Sequence, residues 1–130
     1  MSDTQEVSVV TPEVERGILT IADSPPWNLT LVVKDQRYEA TGVDLFDALS
    51  ILRVQLDAAG VRICVEGARA DVFPSGMSRQ SSGGRRAYRL VAGRTPERED
   101  LVDIFESTQC GEVVSVSDQL ASVQRIRSSG

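Results

Sequence analysis

The chain contains no histidine. That absence removes the usual general base near neutral pH and the commonest nitrogen ligand for zinc. A Ser-His-Asp triad, a Cys-His nucleophile and a zinc site of the finger or deaminase type are therefore excluded for this chain acting alone. Lysine is scarce as well: thirteen of the fourteen basic residues are arginine, Lys34 being the exception. We read this bias first as genomic and second as a supply of bidentate forks for oxyanions. Aromatic residues number six and cysteines two, Cys64 and Cys110, far apart in sequence. No apolar run approaches the ~18 to 20 residues of a membrane span, and Met1-Ser-Asp-Thr-Gln-Glu has no basic stretch followed by an apolar one. The expected location is cytoplasmic. In that reducing setting a structural disulfide is not expected, and Cys64 reads as a small buried hydrophobe. Asn28-Leu29-Thr30 matches the glycosylation acceptor pattern and, without a secretory signal, reads as chance. The Walker loop and the three-glycine dinucleotide pattern are both missing.

What is present is the composition of an ordinary globular protein: 130 residues, 41% hydrophobic and 25% charged. That length suits one domain, 1–130, large enough to bury its own core without metal or disulfide staples. Net charge is −5 but unevenly spread. Residues 1–60 carry four basic and ten acidic side chains, residues 61–98 eight and three, and residues 99–130 two and six. A basic middle thus lies between acidic flanks.

Residues 1–12 are polar around Val7-Ser-Val-Val10 and fit either a loose arm or an added edge strand. Ile18 to Ala22 fits a strand or a helix end, and Pro25-Pro26 then forces an extended connection. Residues 28–34 read as a strand, with 37–41 as its hairpin partner across Asp35-Gln36. The spacing of Leu45, Leu49, Leu52, Leu56 and Ala59 predicts a central helix over 43–59, with Asp47, Ser50 and Asp57 on its opposite face. Thr41 and Asp44 resemble a capping box, and Gly60 suits a left-handed stop. Val61, Ile63 and Val65 alternate as a strand, a short strand ends at Phe73 before Pro74, and 87–91 reads as another. Thr95-Pro96-Glu97 looks like a helix start with Leu101, Val102, Ile104 and Phe105 as its apolar positions, although residues 102–105 fit a strand equally. Glu112 to Val116 suggests a late strand, Ser117 starts a final helix on Leu120, Val123 and Ile126, and 127–130 frays. The sum is an α+β fold: a mainly antiparallel sheet, one long central helix and one or two further helices toward the C-terminus.

The stretch 67–90, GARADVFPSGMSRQSSGGRRAYRL, departs from this pattern. Residues 75–86 read as a polar loop, of a length that is usually functional or disordered. Its glycines allow close backbone approach, and its hydroxyls and guanidinium forks suit phosphate or carboxylate. The candidate ligand-binding residues are Arg69, Ser75, Gly76, Arg79, Arg85, Arg86 and Tyr88. The competing reading is a solvated hairpin loop kept soluble by its arginines. Met77 reads as a gap filler, and Phe73 and Tyr88 read as core. Asp100, Asp103 and Glu106, three apart, read as a solvated acidic face, as do Asp44, Asp47 and Asp57. No metal site and no cofactor are expected, and the acidic balance speaks against nucleic acid. The residues carry no family resemblance.

These features lead to a non-catalytic cytoplasmic module that binds a protein partner, as an adaptor, regulator or immunity-type inhibitor, through its charge blocks. The alternative is a site for a phosphate- or carboxylate-bearing small molecule on residues 67–90. An enzyme is the third reading and the least favoured, and a homodimer is compatible with all three.

Overall fold

In the computed structural model, which describes residues 2–129, four strands precede the first helix: β1 (Ser2–Val10), β2 (Val14–Ala22), β3 (Trp27–Val33) and β4 (Gln36–Gly42). Each pairs antiparallel with the next, and β5 (Arg62–Ile63) adds to the far side of β1, giving the order β4-β3-β2-β1-β5. The register Leu19↔Leu31 and Leu29↔Ala40 keeps one set of alternating side chains together. Val7, Val9, Leu19, Ile21, Leu29, Leu31, Val33 and Ala40 are thereby buried, while their strand neighbours stay wet. This is the period-two logic of a sheet with one covered face.

Residues 18–22 are strand, not a helix end. The amino-terminal stretch is neither a loose arm nor a simple edge: β1 is a nine-residue strand flanked by β2 and, at Val9–Val10, by β5. Its polar first half escapes a hydrophobicity reading because ladder hydrogen bonds use backbone alone. The β3–β4 turn falls at Lys34-Asp35, one residue earlier than expected, with Lys34 in left-handed backbone at φ 54°.

The central helix α1 (Leu45–Ala58) buries Leu45, Phe46, Ala48, Leu49, Leu52 and Leu56 against β3, β4 and β5. Its cap lies later than the Thr41/Asp44 box. The Asp44 carboxylate accepts the Asp47 amide at 2.8 Å, and Asp47 accepts the Val43 amide at 2.9 Å. Asp44 is also buried, so it is not part of a solvated acidic face. Gly60 follows the helix at φ 74°, as expected.

After β5 the elements are short: a 3-10 turn at Glu66–Ala68, β6 (Val72–Phe73), α2 (Gly76–Ser82), β7 (Arg86–Arg89), β8 (Leu101–Asp103) and α3 (Val116–Ser128). A second antiparallel sheet runs β6-β7-β8. Residues 101–103 are strand, preceded by a 3-10 turn at Arg98–Asp100, so no helix begins at Thr95-Pro96-Glu97. The strand hands Ile104 and Phe105 into the core, where both are fully buried. No strand forms at 112–116; a 3-10 turn at Cys110–Glu112 leads into α3, capped by Ser115 Oγ accepting the Asp118 amide at 3.1 Å. The helix thus starts before Ser117 and runs through Ser128, so residues 127 and 128 do not fray; Gly130 lies outside the described residues.

Two further departures tie this half together. Cys64 and Cys110 form a disulfide, with Cα atoms 4.9 Å apart. And Arg53, placed on the margin of the apolar face of α1, is buried, its guanidinium reaching Val114 O and Gln119 Oε1 at 2.8 Å and Gly67 O at 3.2 Å. Gln119 Nε2 in turn donates to Gly67 O, Arg69 O and Val72 O at 2.8–3.0 Å. Burial pushes the Arg53 guanidinium down to about 10, which leaves it cationic at neutral pH. A buried charge is tolerated only when its donors are met, and here carbonyl and amide oxygens meet them. Three α-helices and eight strands among the described residues make an α+β fold, and none of these helices is long and apolar enough to cross a membrane.

Candidate functional site

The 75–86 segment is ordered and mostly helical rather than a loop. Pro74 ends β6, and Ser75 then caps α2 in a reciprocal box: the Ser78 amide donates to Ser75 Oγ at 3.0 Å and the Ser75 amide to Ser78 Oγ at 2.9 Å. Gly83 closes the helix in left-handed backbone at φ 63°, and its carbonyl accepts the first amide of α1, Leu45 N, at 2.8 Å. A Cβ on Gly83 would sit 2.7 Å from the Trp27 ring, and one on Gly84 would sit 2.6 Å from the Asp44 carboxyl carbon. The glycines therefore serve close packing of α2 onto the start of α1, not approach to a ligand. Gly76 is open to solvent.

The arginines expected to hold an anion already hold carboxylates of this chain. Arg69 makes a two-pronged pair with Asp71, at 2.8 and 3.0 Å, and donates to Thr108 Oγ1 at 3.1 Å; the Asp71 hydrogen bond holds its pKa above the usual value. Arg79 reaches Asp44 at 2.9 Å with its guanidinium 5.1 Å from the Phe46 ring centroid. Arg85 bridges Asp103 at 3.1 Å and Asp3 at 3.3 Å, over Phe105. Arg89 pairs with the buried Glu66, and Arg94 with Asp100 at 2.8 Å. Arg86 is exposed and has no acidic partner among the described residues. The seven expected residues do not converge. Ser75 and Tyr88 line one cavity, and Arg69, Gly76, Arg79, Arg85 and Arg86 do not line it.

Of Asp100, Asp103 and Glu106, Asp100 and Glu106 share one acidic cleft with Glu66 and Glu99, and Asp103 does not line it. Asp100 turns to Arg94 and Asp103 to Arg85 and the Phe105 amide, while Glu106 lines a small cleft with Glu66 and Arg89. Among the described residues no cluster of potential metal ligands occurs.

Two surface features were missed in the sequence. One is a cavity of about 390 Å³ whose floor is Phe73, Tyr88 and Leu90, with walls from the 91–96 loop and from Ile126 and Arg127 at the end of α3. The other is an open groove of about 510 Å³ between α1 and α3, lined by Val54, Ala58, Val116 and Leu120. Val54 is 59% exposed and Leu120 45%. The spacings 54/58 and 116/120 are each one helical turn; on α1 the pair lies opposite the buried face, and on α3 it lies beside the buried Gln119 and Val123. That signal is readable in the sequence once the buried faces are assigned. Met77, expected as a gap filler, is 79% exposed. No family model matches the chain, and no curated protein shows significant similarity to it.

Proposed function

We propose that this protein is a non-catalytic module that binds a protein partner through the groove between α1 and α3. The observation that carries this reading is the pair of outward apolar stripes, Val54/Ala58 and Val116/Leu120, facing one open channel. A channel of this kind suits an amphipathic segment that presents apolar side chains at helical spacing. Charge blocks, the original ground for a partner, lose force here. Arg79 reaches back to Asp44, Arg85 to Asp3 and forward to Asp103, and Arg94 to Asp100. Much of the charge alternation is thus spent within the molecule. The same pairing removes the ground for an anion site on Arg69, Arg79 and Arg85.

The test is chemical crosslinking in host cells with the wild-type chain and a Val54→Glu/Leu120→Glu variant, the native fold of the variant being checked by circular dichroism. A partner captured by the wild type and lost by the variant supports the groove; a captured set unchanged by both substitutions sinks it. Sedimentation of the purified chain distinguishes a second copy as the occupant. The adaptor, regulator and inhibitor roles then follow from the identity of the partner. A cytoplasmic location has its own test in rapid alkylation of Cys64 and Cys110 in the host. Full protection of both thiols by their disulfide would place the protein in an oxidising compartment.

A further inference from the structure

We infer that the cavity between the second sheet and the end of α3 binds a small amphipathic anion: an aromatic or aliphatic body bearing one carboxylate or phosphate. This goes beyond the partner groove and uses different residues. At about 390 Å³ the cavity falls within the range of small-ligand sites, roughly 300–1,000 Å³. Its floor is apolar and partly buried, with Phe73, Leu90 and Ile126 facing the same space.

Electrostatics gives the sign. The chain carries nineteen carboxylate side chains against fourteen basic ones. Yet, among the described residues, the cavity is lined by Arg94 and Arg127 and by no acidic residue. The neighbouring cleft at Glu66 shows the opposite composition, with Glu66, Glu99, Asp100 and Glu106 around one guanidinium, Arg89. The two arginines differ in availability. Arg94 is fixed by Asp100 at 2.8 Å. Arg127 lies over the Phe73 ring, 5.4 Å from its centroid, and has no carboxylate partner among the described residues. A guanidinium stacked on an aromatic face is oriented, while its N–H edges stay available for an oxyanion. The Tyr88 hydroxyl likewise has no hydrogen-bond partner among the described residues and lines the same space. An anionic head at Arg127 and Tyr88, with the ligand body against Leu90 and Ile126, satisfies both halves of the site.

The experiment is titration of the ¹⁵N-labelled protein with benzoate, phenyl phosphate, benzyl alcohol and inorganic phosphate. Benzoate or phenyl phosphate should saturate and shift amides in 88–96 and at 126–127, leaving those of 54–58 and 116–120 in place. Benzyl alcohol, which lacks the charge, and inorganic phosphate, which lacks the body, should each bind at least about tenfold more weakly, the worth of one charge-assisted contact. Arg127→Leu should weaken the aromatic anion by about tenfold, while Arg86→Ala should leave it unchanged. Whichever aromatic anion binds tighter identifies the head group. The proposal is overturned if neither aromatic anion saturates, if benzyl alcohol binds equally well, or if Arg127→Leu has no effect in a variant whose spectrum is otherwise native. Because the groove residues are untouched, failure here leaves the partner reading standing, and the reverse also holds.

Discussion

Between residues 2 and 58, four antiparallel strands and α1 bury alternate or helically spaced apolar side chains, and the ladder hydrogen bonds are all backbone. Between residues 60 and 129 the strands shrink to two to four residues, separated by 3-10 turns, and the chain adds individually placed ties to the apolar side chains, Ile63, Val72, Ile104 and Phe105 among them, that it gives to the shared core. The ties are the Cys64–Cys110 bond, the Arg53–Gln119 pair and the ion pairs of Arg69, Arg79, Arg85, Arg89 and Arg94. Apolar burial is spread over many contacts, so no single residue dominates it. A polar tie concentrates its effect at one atom, because a buried donor or acceptor left alone costs more than the bond itself contributed. Two ways of stabilising a chain thus meet along α1, whose Leu52 belongs to the first and whose neighbour Arg53 belongs to the second.

The comparison can be broken most sharply at the disulfide, whose cysteines are 46 residues apart in sequence. For a loop of that length the chain-entropy model gives about 4 kcal/mol. Cys110→Ala should therefore lower the urea-unfolding free energy by roughly that amount, with hydrogen exchange accelerating first between 107 and 115. A loss below about 1 kcal/mol would mean that the polar ties alone hold the second half. Next comes Leu52→Ala, expected to cost about 3 kcal/mol through its cavity, with exchange rising uniformly across β1 to β4. Gln119→Ala should cost about 2 kcal/mol, since it removes the donor that reaches three carbonyls and an acceptor of Arg53. Its effect should be confined to 66–72 and 113–123. If Gln119→Ala loosens the first sheet as much as Leu52→Ala does, the two halves are not distinct in kind.

The same contrast explains which parts could be read from the residues. Alternation at 28–34 and the leucine spacing of α1 report directly on burial, and both elements formed close to their expected limits. Arg53 was invisible because a charged side chain at the edge of an apolar stripe reads as solvated unless its oxygen partners, 61 to 66 residues away in the case of Val114 and Gln119, are known. The disulfide escaped because pairing depends on where β5 and the 110–112 turn lie in space, and compartment arguments pointed the other way. In 75–86 glycine and serine content masked a helix whose start was nonetheless encoded by Ser75 and Ser78. Of the candidate arginines, Arg69 finds its acceptor two residues on, at Asp71, while those of Arg79 and Arg85 depend on long-range geometry. Arg79 and Asp44, for example, are 35 residues apart.

The smallest effect tests the second half at a surface tie, the clasp at the edge of the cavity beneath the end of α3. The Glu97 amide donates to Asp100 Oδ2 at 2.9 Å and Arg94 to Oδ1 at 2.8 Å, and these two hydrogen bonds, in that order, hold the Asp100 carboxyl below its ordinary value. A carboxyl lowered in the folded state contributes stability that is complete above its unfolded pKa of about 4 and is lost as pH falls through the lower folded value. Titration from pH 7 to 3 should therefore leave amides 94–100 unchanged until pH drops below about 4, then shift them together as the clasp opens, while β1 to β4 stay native. Glu99 is also held low, by its hydrogen bond to Glu97, so the assignment rests on Asp100→Asn. That variant keeps a side-chain acceptor for one donor but loses the charge, and it should abolish the cooperative step while sparing the Glu99 shift. If the step persists in Asp100→Asn, the clasp is not what orders this loop, and the wall of the cavity that carries Arg94 is set by the backbone turn alone.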